Sequence, residues 1–231
     1  MKSLLALVLS APLAVLGAEA GYRLDKSPHE PTDLVSLQTG AKLYVNYCLG
    51  CHSMQYMRYG GLSELGLTEQ QIKDNLLFTA DKVGEPMKVP MDPKAAKQWF
   101  GVAPPDLSVV SRSRGADWLY TYLRTFYRDP KTATGWNNAV FENVGMPHAL
   151  WTLQGVRAYD HEKRQWRELS KGVLSQVEYD TAVRDLVNFL AYVGEPAASD
   201  RKAIGIVVLF ILGILFIFTY LLKKEYWKDV S

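Results

Sequence analysis

The chain has 231 residues, of which 48% are hydrophobic and 22% are charged, and its formal net charge at pH 7 is +2. Acidic and basic side chains almost balance in its middle part, and its hydrophobic residues are concentrated at the two ends. Nucleic-acid binding depends on a surplus of lysine and arginine. The composition therefore gives no support to that class of function, and we expect no nucleic-acid partner.

The first twenty residues have the three parts of a secretory signal. Lys2 supplies the charged part, residues 4–16 the apolar part, and residues 18–20 (Ala-Glu-Ala) the small residues before a cleavage site. An N-terminal anchor helix is the alternative, but residues 4–16 are too short to cross about 30 Å of hydrocarbon at about 1.5 Å per residue. We therefore predict a signal peptide over residues 1–20 and an exported domain over residues 21–200.

The two cysteines of the chain lie three positions apart and are followed at once by a histidine, in the sequence Cys48-Leu-Gly-Cys51-His52. This is the C-x-x-C-H pattern of haem attachment, in which the thiols add to the haem vinyl groups and the histidine ligates the iron. Residues three apart share one face of a helical turn, so both sulfurs reach one porphyrin edge. A thioredoxin-like dithiol would need a βαβ setting, and a zinc site would need further cysteines. The motif predicts one covalent haem c, held at Cys48 and Cys51, with His52 as an axial iron ligand.

Two amphipathic segments lie near the ends of the exported domain. In the first, Gly40, Leu43, Tyr44 and Tyr47 form a stripe at helical spacing just before the haem motif. In the second, residues 176–193 repeat apolar side chains every three or four positions, behind a Ser-x-x-Glu capping box and ahead of a proline. We expect the glycine to let these helices cross closely, which favours a mainly α, class I cytochrome c-like domain.

Two shorter helices are predicted between these segments. A Thr-x-x-Gln box opens a helix over residues 69–77, and Asp117 opens another. The apolar face of the latter consists of Trp118, Leu119, Leu123 and Phe126. Strand signals are scarce, and residues 81–105 and 129–145 contain the prolines and glycines of long loops. Such loops are consistent with a chain that wraps around a cofactor.

Two arginines stand just before the helix that Asp117 opens, in a segment predicted to be a loop. Haem propionates are anions that favour cationic partners. Arg112 and Arg114 are therefore candidate propionate partners, with simple solvation of both side chains as the alternative.

The second axial position of the iron decides the class of reaction, because a methionine there favours electron transfer and an open face allows oxygen or peroxide chemistry. Met146 lies between Gly145 and Pro147, so its loop can approach the haem closely with a stiff backbone. Met91 is the next candidate, since it also has prolines nearby. The other candidates are Met87, His29, His148 and His161.

The last apolar segment, residues 203–222, has no charged residue and is long enough to span a bilayer as a helix. Basic residues stand on both sides of it, so its orientation has to come from the N-terminal signal, which exports the middle of the chain. We predict a transmembrane anchor helix over residues 201–222 and a short cytoplasmic tail over residues 223–231. A buried core helix is the alternative, and the length of the uncharged run argues against it.

Together these residues resemble the cytochrome c1 family, the haem-bearing subunits of ubiquinol:cytochrome c reductases. The resemblance rests on the single C-terminal span and on residues 45–59 (VNYCLGCHSMQYMRY), 102–108 (VAPPDLS), 111–114 (SRSR) and 144–147 (VGMP). It implies Met146 as the sixth iron ligand and Arg114 beside a haem propionate. Residues 147–151 (PHALW) depart from the proline-rich continuation of mitochondrial members, so the resemblance does not predict this wall of the haem pocket, although it still predicts the ligand.

The resemblance also implies the partners of the protein. Electrons would enter from a Rieske iron-sulfur protein and leave to a cytochrome c acceptor, and the anchor helix would pack beside cytochrome b. The chain alone would be an electron carrier, and enzyme activity would belong to the assembled reductase. A Sec-like signal without the features of a transit peptide predicts a bacterial inner membrane, with the haem domain on the periplasmic side.

Three other functions are compatible with parts of the sequence. The first is a stand-alone membrane-anchored class I cytochrome c that donates electrons to an oxidase. The second is a haem peroxidase or gas sensor with an open iron face. The third is an adhesion or scaffold domain in which the C-x-x-C-H pattern arose by chance.

Overall fold

The computed structural model describes residues 22–89 and 91–229, so the predicted signal peptide over residues 1–20 lies outside the described part. The α-helices of the described part are α1 (Leu34–Leu43), α2 (Glu69–Asn75), α3 (Pro93–Phe100), α4 (Val110–Arg114), α5 (Ala116–Arg124), α6 (Trp151–Gln154), α7 (Gln176–Gly194) and α8 (Ala198–Tyr226). The strands are β1 (Met54–Arg58), β2 (Pro86–Met87), β3 (Phe126–Arg128), β4 (Trp136–Asn138), β5 (Gly155–Asp160) and β6 (Gln165–Lys171). A π-helical turn, Tyr44–Cys48, continues α1, and a 3₁₀-helix, Tyr59–Leu65, follows β1. The predicted mainly α fold is confirmed.

Helices α1 and α7 cross in close contact, as the stripe and its glycine predict. A Cβ atom added at Gly40 would lie 2.1 Å from the carbonyl oxygen of Asp185 and 2.6 Å from Cβ of Phe189. Real Cβ atoms do not approach other atoms this closely, so no other residue fits at position 40 without separating the helices. Next to the crossing, the rings of Tyr44 and Phe189 pack with their centroids 6.0 Å apart.

A buried polar network also joins α1 to α7. Ser36 Oγ in α1 donates to Asp185 Oδ1 at 2.7 Å, and Asn188 Nδ2 donates to Ser36 Oγ at 3.0 Å. The same Asn188 amide nitrogen donates to the carbonyl of Glu30 at 2.7 Å. Buried polar groups are costly unless they are paired. This network therefore fixes the register of α1 on α7 more strictly than apolar packing alone.

The predicted helix caps of α7 and α2 are present. Ser175 and Glu178 form both bonds of a capping box at the start of α7, which ends at Gly194, just before Pro196. Thr68 and Gln71 do the same for α2, although that helix ends two residues before the predicted residue 77.

The prediction for α5 is wrong in two details. Asp117 does not cap this helix, which begins at Ala116 after Gly115; its Oδ1 instead accepts a hydrogen bond from the backbone N–H of Ser27, at 2.8 Å. Phe126 belongs to β3, where its side chain is buried in the hydrophobic core. The helix ends earlier because Asn138 pairs with Phe126 in the β3–β4 ladder and donates to the carbonyl of Tyr122.

The prediction of two long loops is also partly wrong. Residues 81–105 contain β2 and α3, and α3 begins with Asp92 accepting from the N–H of Ala95 and with proline at the first helical position. Residues 129–145 contain β4. Three antiparallel pairs, β1–β2, β3–β4 and β5–β6, form in the described part. Most of their strands have two to six residues, too few for an alternating pattern to be recognised.

The last helix, α8, extends beyond the predicted residues 201–222 at both ends. Its apolar side chains are exposed, and the helix is long and apolar enough to cross a membrane. A contiguous apolar surface of this size is unfavourable in water and marks a site that a membrane or a partner covers. The exposed surface of α8 therefore fits a transmembrane anchor.

Replacing Gly40 by alanine tests the α1–α7 crossing. Inside a helix, glycine is normally less favourable than alanine by about 1 kcal/mol, so this change would stabilise the protein if there were room. Because the new methyl group would meet the backbone of α7, we expect Gly40→Ala to lower the free energy of unfolding by about 1–3 kcal/mol in urea titrations. Gly84→Ala is the control, since its Cβ would meet nothing within 4 Å. Equal stability of the two variants would contradict the close crossing.

Candidate haem-binding site

The C-x-x-C-H motif lies where α1 widens into the π-helical turn. The N–H of Leu49 donates to the carbonyl of Tyr44 at 2.9 Å, five residues back, and the N–H of His52 donates to the carbonyl of Cys48 at 2.8 Å. Cys48 is buried and Cys51 is half-buried. The π-helical turn ends at Cys48, the first residue of the motif, and both cysteines and the histidine line one cavity.

This cavity brings four predicted haem-binding residues together. Cys48, Cys51, His52 and Met146 all line it. Its other walls are largely apolar and include Tyr47, Phe100, Val102, Pro104, Pro147 and Ala149. Two thiols, an imidazole and a thioether in an apolar setting are the donor set of a six-coordinate c-type haem. The chemistry of the residues present therefore fits this group.

The imidazole of His52 is held by a hydrogen bond to a backbone carbonyl. Its Nδ1–H donates to the carbonyl of Pro105 at 2.7 Å, which leaves Nε2 as the nitrogen that can bind a metal. Tyr44 Oη donates to the carbonyl of His52 at 2.7 Å. Burial lowers the pKa of His52, although the bond to Pro105 and the charge of Asp106 act in the opposite direction. The neutral imidazole, which is the metal-binding form, is therefore favoured.

The Pro104-Pro105-Asp106-Leu107-Ser108 segment is tied to the residues after the motif. Asp106 accepts hydrogen bonds from the N–H groups of Gln55 at 3.0 Å and of Ser108 at 2.8 Å. The N–H of Leu107 donates to the carbonyl of Ser53 at 2.8 Å. These bonds hold the carbonyl of Pro105 against His52.

Met146 also lines this cavity, in a loop that packs against α3. A Cβ atom at Gly145 would lie 2.9 Å from the carbonyl oxygen of Phe100, so glycine allows this loop to approach α3. Met146 Sδ accepts a hydrogen bond from Tyr122 Oη, with 3.4 Å between oxygen and sulfur.

The competing ligand candidates lie elsewhere. Met87 is fully buried opposite Met54 in the β1–β2 ladder, and Met91 lines a separate cavity next to Cys51. His148 Nε2 is 2.8 Å from Gln154 Oε1, and burial lowers the pKa of this histidine to about 3. His161 pairs with Tyr127 and His29 pairs with Ser27. Only Met146, among these candidates, lines the cavity that contains both sulfurs and His52.

The two arginines lie in α4, so the prediction of a loop for this segment is wrong. The guanidinium of Arg114 lies 5.1 Å from the ring centroid of Trp118 and 5.8 Å from that of Phe141. Arg112 instead packs beside Gly194 and lines a different cavity, which it shares with Arg201 and Lys202 at the start of α8. Arg112 and Arg114 are two positions apart on α4, and residues at this spacing do not share a helix face, so their side chains lie in different places.

Several residues at the site are absent from the sequence-based candidates. Tyr122 follows Trp118 by four positions on α5, so helical spacing could have placed it on the same face. Asp106 lies in residues 102–108, which carry part of the family resemblance, but an aspartate that accepts hydrogen bonds from the N–H group of a distant residue leaves no local sequence signal. The carbonyl of Pro105 has no sequence signal at all, because its role depends on long-range contact.

Replacing Asp106 by alanine tests the attachment of this segment. We expect Asp106→Ala to lower the free energy of unfolding by about 1–3 kcal/mol, because two backbone N–H groups lose a charged acceptor. Asp74→Ala, which removes one exposed hydrogen bond to Gln70, should cost under about 0.5 kcal/mol. Urea unfolding followed by circular dichroism measures both. A loss no larger than that of Asp74→Ala would show that Asp106 does not hold the segment.

Comparison with known proteins shows the family to which the chain belongs. A sequence profile described as "Cytochrome C1 family" matches residues 25–230. The chain is 48% identical over 234 residues to cytochrome c1 of Allochromatium vinosum, covering 96% of each chain. It is 47% identical over 231 residues to a Nitrosomonas europaea protein named ammonia monooxygenase gamma subunit, covering all of this chain and 98% of that one. It is 25% identical over 240 residues to cytochrome b/c1 of Bradyrhizobium diazoefficiens, covering 87% of this chain and 34% of the other. The chain belongs to the cytochrome c1 family of haem-containing electron-transport proteins and carries a covalent haem c.

Proposed function

We propose that this protein is the c-type cytochrome subunit of a ubiquinol:cytochrome c reductase, which takes single electrons from a Rieske iron-sulfur protein and passes them to a cytochrome c acceptor. One observation carries the proposal: Cys48, Cys51, His52 and Met146 line one cavity. The same four residues supply everything that a closed, electron-transferring haem requires from its protein. The enzyme activity belongs to the complex, and this chain contributes electron transfer.

Each of the four residues has a role in this proposal. Cys48 and Cys51 would hold the haem through thioether bonds, and His52 Nε2 and Met146 Sδ would ligate its iron. When bound, haem c supplies a one-electron couple. The apolar walls exclude water, and the bond from His52 to Pro105 keeps the imidazole in one orientation. Neither arginine lines the cavity of the four residues. Arg114 is the proposed propionate partner because its guanidinium lies over Trp118, which stacks on Tyr122, whereas Arg112 lines a separate cavity.

The proposed location follows from the two ends of the chain. The exposed apolar surface of α8 supports a single-pass anchor in a bacterial inner membrane. The predicted signal peptide supports a periplasmic haem domain over residues 21–200, an anchor over residues 201–222 and a cytoplasmic tail over residues 223–231. Cytochrome b as a neighbour is supported by the Bradyrhizobium relative, whose name joins cytochromes b and c1.

Purification of the full chain from its native membrane tests the complex. We expect a tagged chain to co-purify with a cytochrome b and a Rieske protein, and its haem c to be reduced by a quinol analogue as well as by ascorbate. Cys48→Ala combined with Cys51→Ala should abolish haem that stays attached in denaturing gels. A chain that purifies alone, or with ammonia-oxidising subunits of the kind named for the Nitrosomonas relative, would contradict the proposed complex.

Replacing Met146 by alanine tests the sixth ligand against the peroxidase or sensor alternative. We expect Met146→Ala to keep covalent haem, to bind carbon monoxide when reduced, and to lower the midpoint potential by on the order of 0.1 V, because axial ligands set haem potentials over about 0.8 V. Met91→Ala, in the neighbouring cavity, should behave as the unaltered protein does. Binding of carbon monoxide by the unaltered protein, or an unchanged potential in Met146→Ala, would refute this ligand.

A further inference from the structure

The hydroxyl group of Tyr122 has one hydrogen-bond partner within residues 22–89 and 91–229, and that partner is a sulfur atom. Tyr122 Oη donates to Met146 Sδ with a separation of 3.4 Å. The side chain is buried, with 8% of its surface exposed. A buried phenol normally donates to a strong acceptor such as a carbonyl oxygen, whereas a thioether is a weak acceptor. The pairing of this hydroxyl with Met146 therefore needs a reason beyond satisfying the phenol.

We propose that Tyr122 is a positioning residue for the haem: its hydroxyl fixes the sulfur of Met146 and raises the potential of the iron. The inference rests on the proposed ligation of iron by Met146. It adds a residue that does not touch the metal and acts through the ligand.

Three neighbours hold the Tyr122 ring in place. The Trp118 ring stacks on it, with centroids 4.6 Å apart and an angle of 12° between the planes. The Phe126 ring forms an edge-to-face pair with it, with centroids 5.0 Å apart and an angle of 68°. Asn138 Nδ2 donates to the backbone carbonyl of Tyr122 at 2.7 Å. Because ring and backbone are both fixed, the hydroxyl is held in position to constrain the sulfur.

The direction of the effect follows from the chemistry of a thioether. Its sulfur carries two lone pairs, so it can bind a metal with one and accept a hydrogen bond with the other. A donated hydrogen bond draws electron density from the sulfur and weakens its donation to the iron. Ferric iron depends more on that donation than ferrous iron does. The bond therefore favours the reduced state and raises the midpoint potential.

The same stack connects Met146 with Arg114. The Arg114 guanidinium lies over the Trp118 ring, and that ring covers Tyr122. One face of α5 thus supports both the proposed ligand and the proposed propionate partner. A purely structural role for Tyr122 would require only its ring, and a role in tuning the haem would require its oxygen. The two roles can be separated by removing one atom.

Redox titration of the full-length protein carrying Tyr122→Phe tests the inference. Removal of the hydroxyl keeps the ring packing, and we expect the midpoint potential to fall. A net hydrogen bond is worth a factor of about two to ten in an equilibrium constant, so the shift should reach at most about 59 mV for a one-electron couple. Tyr120→Phe is the matched control, because this buried tyrosine on the same helix packs on Arg124 and not on Met146. The midpoint potential of Tyr120→Phe should differ from that of the unaltered protein by less than about 18 mV, which corresponds to a factor of two in the redox equilibrium constant.

A second variant should shift the midpoint potential in the opposite direction, and it does not remove the hydroxyl group. Site-specific 3-fluorotyrosine at position 122 makes the phenol a stronger donor, and we expect the potential to rise. The ferric charge-transfer band of methionine–iron ligation is recorded for every sample. If the unaltered protein lacks this band, the proposed ligand is wrong. If the band is present but Tyr122→Phe and the fluorinated protein leave the potential unchanged, or move it in the same direction, the role of Tyr122 is overturned.

Discussion

The contact between Gly40 in α1 and the carbonyl of Asp185 in α7 determines where the haem motif can lie. Without a side chain at position 40, the two helices meet backbone to backbone, and the buried bond between Ser36 and Asp185 fixes their register. The π-helical turn follows this fixed point directly, so the positions of Cys48 and His52 depend on it. Tyr44 belongs to both regions, because its ring packs in the crossing and its hydroxyl bonds to the carbonyl of His52.

The cavity is closed by segments that have little regular structure of their own. The segment containing Asp106 is held by hydrogen bonds to residues 53–56, and the loop containing Met146 is held against α3 and α5. Burial of apolar side chains stabilises such segments less than it stabilises a pair of packed helices. The apolar walls that they present to the cavity are the surface that a haem would cover. A cofactor in this position would therefore act as the missing part of the core.

Local sequence signals were sufficient for the helix pair and its caps. The stripe at Gly40 and Tyr44 and the Ser175–Glu178 box depend on residues three or four positions apart, which the sequence displays directly. The C-x-x-C-H motif is equally local, and the structure brings its residues to one cavity with Met146. The short strands, helix α3 and the helical state of Arg112 and Arg114 were not predicted. Partners far along the chain stabilise the strands, and no pattern within two or three residues can reveal such partners.

The short connection between α7 and α8 limits how this protein can take part in electron transfer. Only residues 195–197 separate the last helix of the haem domain from the helix that fits a membrane anchor, and Arg201 pairs with Glu195 across them. A linker of three residues allows little travel away from the bilayer. In the proposed location the protein is therefore a stationary relay, and diffusion or swinging between distant sites has to be done by the proteins that deliver and collect its electrons.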